Sequence, residues 1–340
     1  MNRLPCLLAI AALAGACSEY DVVGNRAPAG APNPPGLESE TQLDHVVQTT
    51  VASVDVLWIV DTSCSMDEEQ AQLGSNFDAF MTQFLDSGLD YHIGVVSTNM
   101  DDLNKSGRLQ PDSADSSRLY IDTNTPDPVD AFVRTAVMGT DNHYNERGRD
   151  AAFTALDDVT GLRDTYNAGF YRDDASLAIV ALSDEDDSSV MALNEFTTWM
   201  RGLKPDLEML SFSSIVGDDL GGGLTCPTAS EPGYDYLTLT DTFGGVAWSI
   251  CDDDWASGLE QLGMEAAGLE REFFLSRLPV PDTLHVWVEQ DGEVVADMVQ
   301  GPDYTYDRSR NSIRFVDYVP DPLSDVYMEY DLLATSQPQP

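Results

Sequence analysis

Basic residues are scarce in this sequence. Lysine and arginine together number 17, against 59 aspartates and glutamates, which gives a formal net charge of −42 at pH 7. A polyanion of this strength repels phosphate backbones, so nucleic acids are excluded as partners. The same excess of carboxylates attracts cations, and clustered carboxylates favour hard divalent ions. Plain solubility in a salty or extracellular medium is the alternative reason for the bulk charge.

The N-terminus lacks an apolar run long enough to span a bilayer. Residues 7–16 are apolar and follow the basic Arg3, but they are too few for a transmembrane helix. The run ends in the letters LAGAC, which resemble a bacterial lipobox. We therefore expect residues 1–16 to be a lipoprotein signal peptide and Cys17 to carry the lipid, with ordinary signal-peptidase cleavage as the alternative.

The expected lipid anchor predicts a location in the bacterial cell envelope. Acyl chains on Cys17 would hold the protein firmly to a membrane surface, on its periplasmic or cell-surface face. Ser18 stands where some bacteria use an Asp to retain lipoproteins in the inner membrane, so the outer membrane is favoured. Residues 17–50 are rich in Pro, Gly and Ala and cannot bury enough apolar surface to order themselves. We interpret them as a disordered tether.

Cysteine is also sparse. Cys6 leaves with the signal peptide and Cys17 takes the lipid, which leaves Cys64, Cys226 and Cys251. Three thiols allow one intramolecular bridge, and an oxidising compartment favours it. We expect a bridge between Cys226 and Cys251, which would stabilise the loop that it closes by roughly 3 kcal/mol. Cys64 is expected to be a small buried residue or to face away from its serine neighbours.

Hydrophobic periodicity predicts an α/β fold. Continuous apolar runs, typical of strands buried on both faces of a parallel sheet, occur at 54–60, 91–97, 178–182 and 209–216. Helical spacing of apolar residues occurs at 68–85, 146–159, 191–203 and 256–269. Strands and helices thus alternate, so residues 51–270 are expected to form a doubly wound, mostly parallel sheet.

The pattern changes after residue 270. Residues 284–288 alternate between apolar and polar, Asp291 and Gly292 form a hairpin signal, and a return strand begins at Val294. Two more short strands are expected at 312–316 and 326–330. We therefore expect residues 271–335 to form a small antiparallel β domain.

The candidate site begins where the first apolar run ends. Asp61, Ser63 and Ser65 offer one carboxylate and two hydroxyls at alternate positions of one loop, and ligands of open α/β sheets bind beyond the carboxyl ends of strands. Such oxygen donors suit Mg²⁺, Mn²⁺ or Ca²⁺ rather than zinc. A helix cap at Ser65 is the alternative. A second acidic loop, 184–187, follows the strand at 178–182, and a cation would relieve the repulsion among its carboxylates.

These two loops, in this order, resemble the metal-ion-dependent adhesion site of the von Willebrand factor A family. Asp61, Ser63 and Ser65 match its Asp-x-Ser-x-Ser element, and Asp184 matches its last aspartate. The resemblance covers roughly residues 54–269. It implies one divalent cation with an open position, which a carboxylate of a partner protein completes.

The middle element of that site is a threonine in the family. Thr140 is our candidate for it, and Asn145 or Glu146 are the alternatives. A glutamate at this point would add a negative ligand and favour Ca²⁺.

The sequence offers little for catalysis. It has no Asp-x-Asp pair at the end of the first strand, no lysine-bearing phosphate loop and no Gly-x-Ser-x-Gly elbow, and its four histidines form no paired zinc motif. We therefore expect a binding or adhesion module rather than an enzyme. The alternatives are an envelope protein rigidified by calcium and a metal-dependent hydrolase.

Overall fold

The structure is a computed structural model, and it describes residues 41–48, 53–85, 89–141, 145–218, 228–316, 318, 320–321 and 323–332. The predicted signal peptide, the lipidated Cys17 and the bridging Cys226 lie outside these residues, so they stay predictions. No helix in the described part of the chain is long and apolar enough to cross a membrane.

Strands and helices alternate through the first two thirds of the described chain. The strands are β1 (Thr41–Val47), β2 (Ser53–Val60), β3 (Asp90–Ser97), β4 (Ser176–Ser183), β5 (Leu210–Val216), β6 (Ala247–Ser249), β7 (Glu272–Phe274), β8 (His285–Gln290), β9 (Glu293–Met298), β10 (Tyr304–Asp307), β11 (Ser312–Phe315) and β12 (Asp325–Asp331). The helices are α1 (Asp67–Leu85), α2 (Pro128–Ala136), α3 (Gly148–Leu156), α4 (Leu193–Met200), α5 (Tyr234–Phe243) and α6 (Trp255–Ala266).

The main sheet is parallel and has the strand order β3-β2-β4-β5-β6. Its inner strand β2 is buried on both faces, because alternate side chains enter two separate apolar cores. Trp58 packs with Phe77 of α1 and Phe132 of α2 on one face, and α6 covers the same face. Ile59 faces the core formed with α3, α4 and α5. The predicted doubly wound α/β fold is confirmed.

Two antiparallel sheets make up the rest of the described chain, with strand orders β1-β12-β8-β9 and β10-β11-β7. The hairpin between β8 and β9 turns at Asp291 and Gly292, whose φ angles of 53° and 80° are those of the tight turn that the Asp-Gly pair predicts. The antiparallel part of the predicted fold is therefore confirmed.

The predicted tether extends too far along the chain. Its residues 41–47 form β1, which pairs antiparallel with β12 from Thr41 opposite Asp331 to Val47 opposite Asp325. The inward residue Asp44 is polar and buried, and it accepts hydrogen bonds from Ser276 and Tyr330. The strand is held by its backbone ladder and these polar contacts, so its sequence lacks the apolar alternation that would have revealed it.

Candidate metal site

The two matched loops meet at the carboxyl edge of the parallel sheet. Asp61 follows β2 directly and Asp184 follows β4 directly, and these strands are neighbours in the sheet. The backbone N–H of Asp61 donates to the carbonyl of Leu182 at 2.9 Å, which continues the ladder up to the loops. The parallel arrangement thus brings together residues that are more than a hundred positions apart in sequence.

Asp61 is fully buried and held by uncharged donors. Its Oδ1 accepts the backbone N–H of Ser63 at 2.7 Å, and its Oδ2 accepts the hydroxyl of Ser183 at 2.6 Å. Gln70 donates its side-chain amide to the Asp61 carbonyl at 2.9 Å, which fixes the start of α1 against the loop. The carboxylate is therefore fixed in orientation before any ligand arrives.

The serines link Asp61 to Asp184. Ser63 Oγ lies 3.1 Å from Ser65 Oγ and donates to Asp184 Oδ1 at 3.4 Å. Ser230 donates its hydroxyl to Asp184 Oδ2 at 3.1 Å. Asp184 is fully buried, whereas Ser65 is exposed, so the cluster opens toward solvent on the side of Ser65.

The three candidates for the middle element occupy different positions. Thr140 is half-buried and donates its hydroxyl to Asp67 at 3.3 Å, on the first turn of α1. Asn145 is exposed. Glu146 is fully buried and accepts the hydroxyl of Thr98 from the loop after β3. Of the three, Glu146 is the one buried beside the site.

The helix that we predicted over 146–159 begins two residues later, so Glu146 lies in the loop before it. The helix α3 starts at Gly148, while Glu146 forms an isolated bridge with Asn99. The backbone N–H of Arg147 donates to the carbonyl of Thr98 at 3.0 Å, and Ser188 donates to the carbonyl of Glu146 at 2.8 Å. These bonds hold Glu146 in a loop between the ends of β3 and β4, and its charge raises the pKa of Asp61.

The site carries uncompensated negative charge. Burial raises the pKa of Asp61 well above its ordinary value of 3.8, and the charges of Glu146 and Asp184 raise it further. Burial and the charge of Asp184 also raise the pKa of Glu185. Within the described residues, neither Asp61 nor Asp184 forms an ion pair with a basic side chain. A cation at this point would remove the repulsion.

The acidic run 184–187 does not act as one cluster, contrary to our expectation. Asp186 accepts the backbone N–H of Asp235 at the start of α5, at 2.9 Å. Asp187 forms a buried ion pair with Arg149 of α3, and Arg149 also contacts Asp235 at 2.8 Å. Asp186 and Asp187 thus contact other partners, and Asp184 is the member of the run that contacts Ser63 and Ser230.

The donor set fits a hard divalent ion. Among the described residues, no three His, Cys, Asp or Glu side chains come close enough together to hold a metal by themselves. An ion here would therefore use two carboxylates together with the hydroxyls of Ser63 and Ser65. Oxygen donors of this kind suit Mg²⁺, Mn²⁺ and Ca²⁺ and not zinc, which prefers nitrogen and sulfur.

Two further cysteine predictions have different outcomes. Cys64 carries a free thiol and is exposed, which contradicts its burial and agrees with a side chain that faces away from Ser63. Cys251 Sγ lies 3.2 Å from the hydroxyl of Thr228. Its bridge to Cys226 stays a prediction.

Comparisons with known proteins found similar solved structures but no relative by sequence. No family model matches the chain, and no curated protein matches it. Among solved structures, the chain is similar to proximal thread matrix protein 1 from the mussel byssus (10% identity, TM-score 0.39), with 66% of this chain and 48% of that chain covered. It thus spans about half the length of the mussel protein.

Two bacterial structures are also similar. A von Willebrand factor type A protein from Catenulispora acidiphila has 12% identity and a TM-score of 0.36, with 88% of this chain and 67% of that chain covered. The pilus adhesin SpaC from Lactobacillus rhamnosus GG, in an open conformation, has 10% identity and a TM-score of 0.38, with 85% and 40% covered. At these identities and scores the similarity adds nothing to what the strands and helices already establish.

Proposed function

We propose that this chain is a binding module of the cell envelope that recognises a protein ligand through one divalent cation. The ion would be held by Asp61, Ser63, Ser65 and Asp184. The convergence of these four side chains at the carboxyl edge of the sheet carries the proposal. The resemblance of their loops to an adhesion site of the von Willebrand factor A family supports it.

The surroundings of the site favour recognition over turnover. Asp61 and Asp184 are buried and fixed by hydrogen bonds, while Ser65 is exposed. An ion held here would face solvent on one side, and a carboxylate of the ligand would complete its coordination. The hydroxyl of Ser63 is bonded to Ser65 and Asp184 instead of to a histidine, so it is not arranged as an activated nucleophile.

Membrane anchoring through a lipid on Cys17 is part of the same proposal. The wild type should label with a palmitate analogue and partition with membranes, and Cys17→Ser should do neither. A wild type that stays unlabelled and soluble would remove the anchor from the proposal but leave the cation site untouched.

The cation itself is tested by thermal unfolding. A ligand that binds only the native state stabilises it by about 2.7 kcal/mol when its free concentration is a hundredfold above its Kd. The Tm of the wild type should therefore rise with Mg²⁺, Mn²⁺ or Ca²⁺, and the rise should shrink in Asp61→Ala and Asp184→Ala. NaCl at matched ionic strength measures the general screening of the negative charge.

Asp282→Ala is the matched control, because Asp282 is an exposed carboxylate in the antiparallel part of the chain. It should respond to divalent ions as the wild type does. If divalent ions do no more than matched NaCl, or if Asp61→Ala responds fully, the chain has no cation site here. If the ion stabilises the protein but a chelator releases no bound protein ligand, the ion has a structural role instead.

A further inference from the structure

One buried carboxylate near the site has no assigned role. Glu69 lies on the first turn of α1, four residues after Ser65, and the residue is buried, with a relative exposure of 5%. Its Oε2 atom has no hydrogen-bond partner among the described residues. A buried, unpaired carboxylate oxygen is costly to keep, and a bound water or ion is one of the explanations for it in a native protein.

The contacts of its neighbours place Glu69 against the candidate metal site. The adjacent Gln70 donates to the carbonyl of Asp61 at 2.9 Å, which holds this turn of α1 at the Asp61 loop. On the other side, Ser230 donates both its N–H and its hydroxyl to Asp184. Thr228, two residues earlier, donates its hydroxyl to Glu69, and the charge of Asp184 acts on the Glu69 carboxylate. Glu69 is thus enclosed between the first turn of α1 and the segment that holds Asp184.

We propose that Glu69 is an outer carboxylate of the cation site, whose free oxygen accepts a hydrogen bond from a water molecule bound to the ion. The proposal rests on the proposed function, since it needs an ion at Asp61 and Asp184. Glu69 is not a direct ligand, because it is not gathered with those two aspartates around one point. Groups that hold the ligands or waters of a metal from one layer further out typically change its affinity by 10- to 100-fold.

The test is a titration with Mn²⁺, followed by calorimetry and by the electron paramagnetic resonance signal of free Mn²⁺. We expect Glu69→Gln to weaken Mn²⁺ binding by about tenfold. Glu68→Gln is the matched control, because Glu68 is the preceding residue on the same helical turn and is exposed. At matched ionic strength the control should change the affinity by less than about twofold.

The metal-free protein separates this role from a structural one. Glu69→Gln removes a buried charge that faces Asp184, so its Tm without metal should rise while its affinity for Mn²⁺ falls. A residue that only supports the fold would lower the Tm when changed. A variant whose Tm and affinity both match those of Glu68→Gln would overturn the proposal.

The failures of the two proposals are distinguishable. If the wild type does not bind Mn²⁺, the proposed function fails and the role of Glu69 falls with it. If the wild type binds Mn²⁺ and Asp61→Asn does not, but Glu69→Gln binds as tightly as Glu68→Gln, then Glu69 alone is misassigned. Should Glu69→Gln not fold, Glu69→Asp keeps the charge and shortens the reach, and we expect it to weaken binding by roughly threefold; unchanged affinity would count against the proposal.

Discussion

An aspartate is buried near each end of strand β2, and the two aspartates have different hydrogen-bond partners. Asp55, near the amino end, meets Arg172, whose Nε lies 2.8 Å from Oδ1 and whose backbone N–H donates to Oδ2 at 2.6 Å. Asp61, beyond the carboxyl end, is equally buried but has only uncharged donors. Burial raises the pKa of both carboxyls; Arg172 opposes the rise at Asp55, whereas Glu146 and Asp184 add to it at Asp61.

Two other aspartates have arginine partners as Asp55 does. Asp112 is buried and contacts Arg134 at 2.7 Å and Arg118 at 3.0 Å, and its pKa is held well below its ordinary value, chiefly by the hydrogen bond from Arg134. Asp187 has Arg149. In a chain with so few basic residues, arginines stand beside these aspartates and not beside Asp61. Asp61 and Asp184 are thus buried carboxyls that form no ion pair with a basic side chain of the described residues.

The largest effect should come from Arg149, which lies at the carboxyl edge itself. Arg149→Met leaves the fully buried Asp187 without its partner, and breaking a buried ion pair in this way costs about 3–5 kcal/mol of unfolding free energy. Urea unfolding measures the loss, and Arg163→Met, at a more exposed pair, is the control. Divalent cations should not restore the stability, because Asp187 contacts Arg149 and not the serines that contact Asp184. If Mg²⁺ restored the full stability of Arg149→Met, the carboxylates of 184–187 would bind an ion together. The contrast between the paired Asp187 and the unpaired Asp61 would then not hold.

A somewhat smaller effect is expected at the amino end of β2. Arg172→Met leaves the buried Asp55 without its guanidinium partner, and the free energy of unfolding should fall by about 3 kcal/mol. The double variant with Asp55→Asn removes the stranded charge and should recover part of that loss in the same urea experiment. If the double variant is no more stable than Arg172→Met, the arginine stabilises this end through its other contacts, to Asp90 and the Val54 carbonyl, and not by neutralising Asp55.

The smallest effect concerns Asp61 and pH. Its raised pKa means that the folded state binds the proton more tightly than the unfolded state does. This contribution to stability is complete below pH 3.8, the ordinary pKa, and is lost as the pH rises through the higher pKa of the folded state. With a chelator present, the wild type should therefore lose stability relative to Asp61→Asn as the pH rises from acid to neutral. If the difference in unfolding free energy between the two proteins stays constant with pH, the surroundings of Asp61 do not raise its pKa.

The sequence predicted the parallel sheet and both site loops for one physical reason. A strand buried on two faces reads as a continuous apolar run, as 54–60 and 178–182 do, and the residues that follow such strands share one edge of the sheet. The positions of these strands in the sequence were therefore enough to predict that Asp61 and Asp184 lie close together. Their separation in sequence did not matter, because the sheet rather than the local chain sets their distance.

Other parts of the site depend on contacts that no local pattern encodes. Ser230 reaches Asp184 from a loop 46 positions later, and nothing near Ser230 in sequence indicates this contact. The helical spacing around Ala151 and Ala155 predicted α3 but not its first residue, so Glu146 was assigned to the helix although it lies before it. The strand β1 was missed because its inward residue is Asp44, which is satisfied by partners more than two hundred residues away.

The pairing of β1 with β12 has a consequence for how the protein is made. Thr41 and Asp331 are 290 residues apart in sequence, and at a synthesis rate of about 5–20 residues per second the later strand follows the earlier one by roughly 15–60 seconds. Throughout that interval β1 lacks the strand with which it pairs. The strands of the parallel sheet lie between β1 and β12 in sequence, so they are made together with their own partners before β12. The four-stranded sheet therefore cannot form before β12 is made, and until then the growing chain carries a strand with unpaired backbone groups.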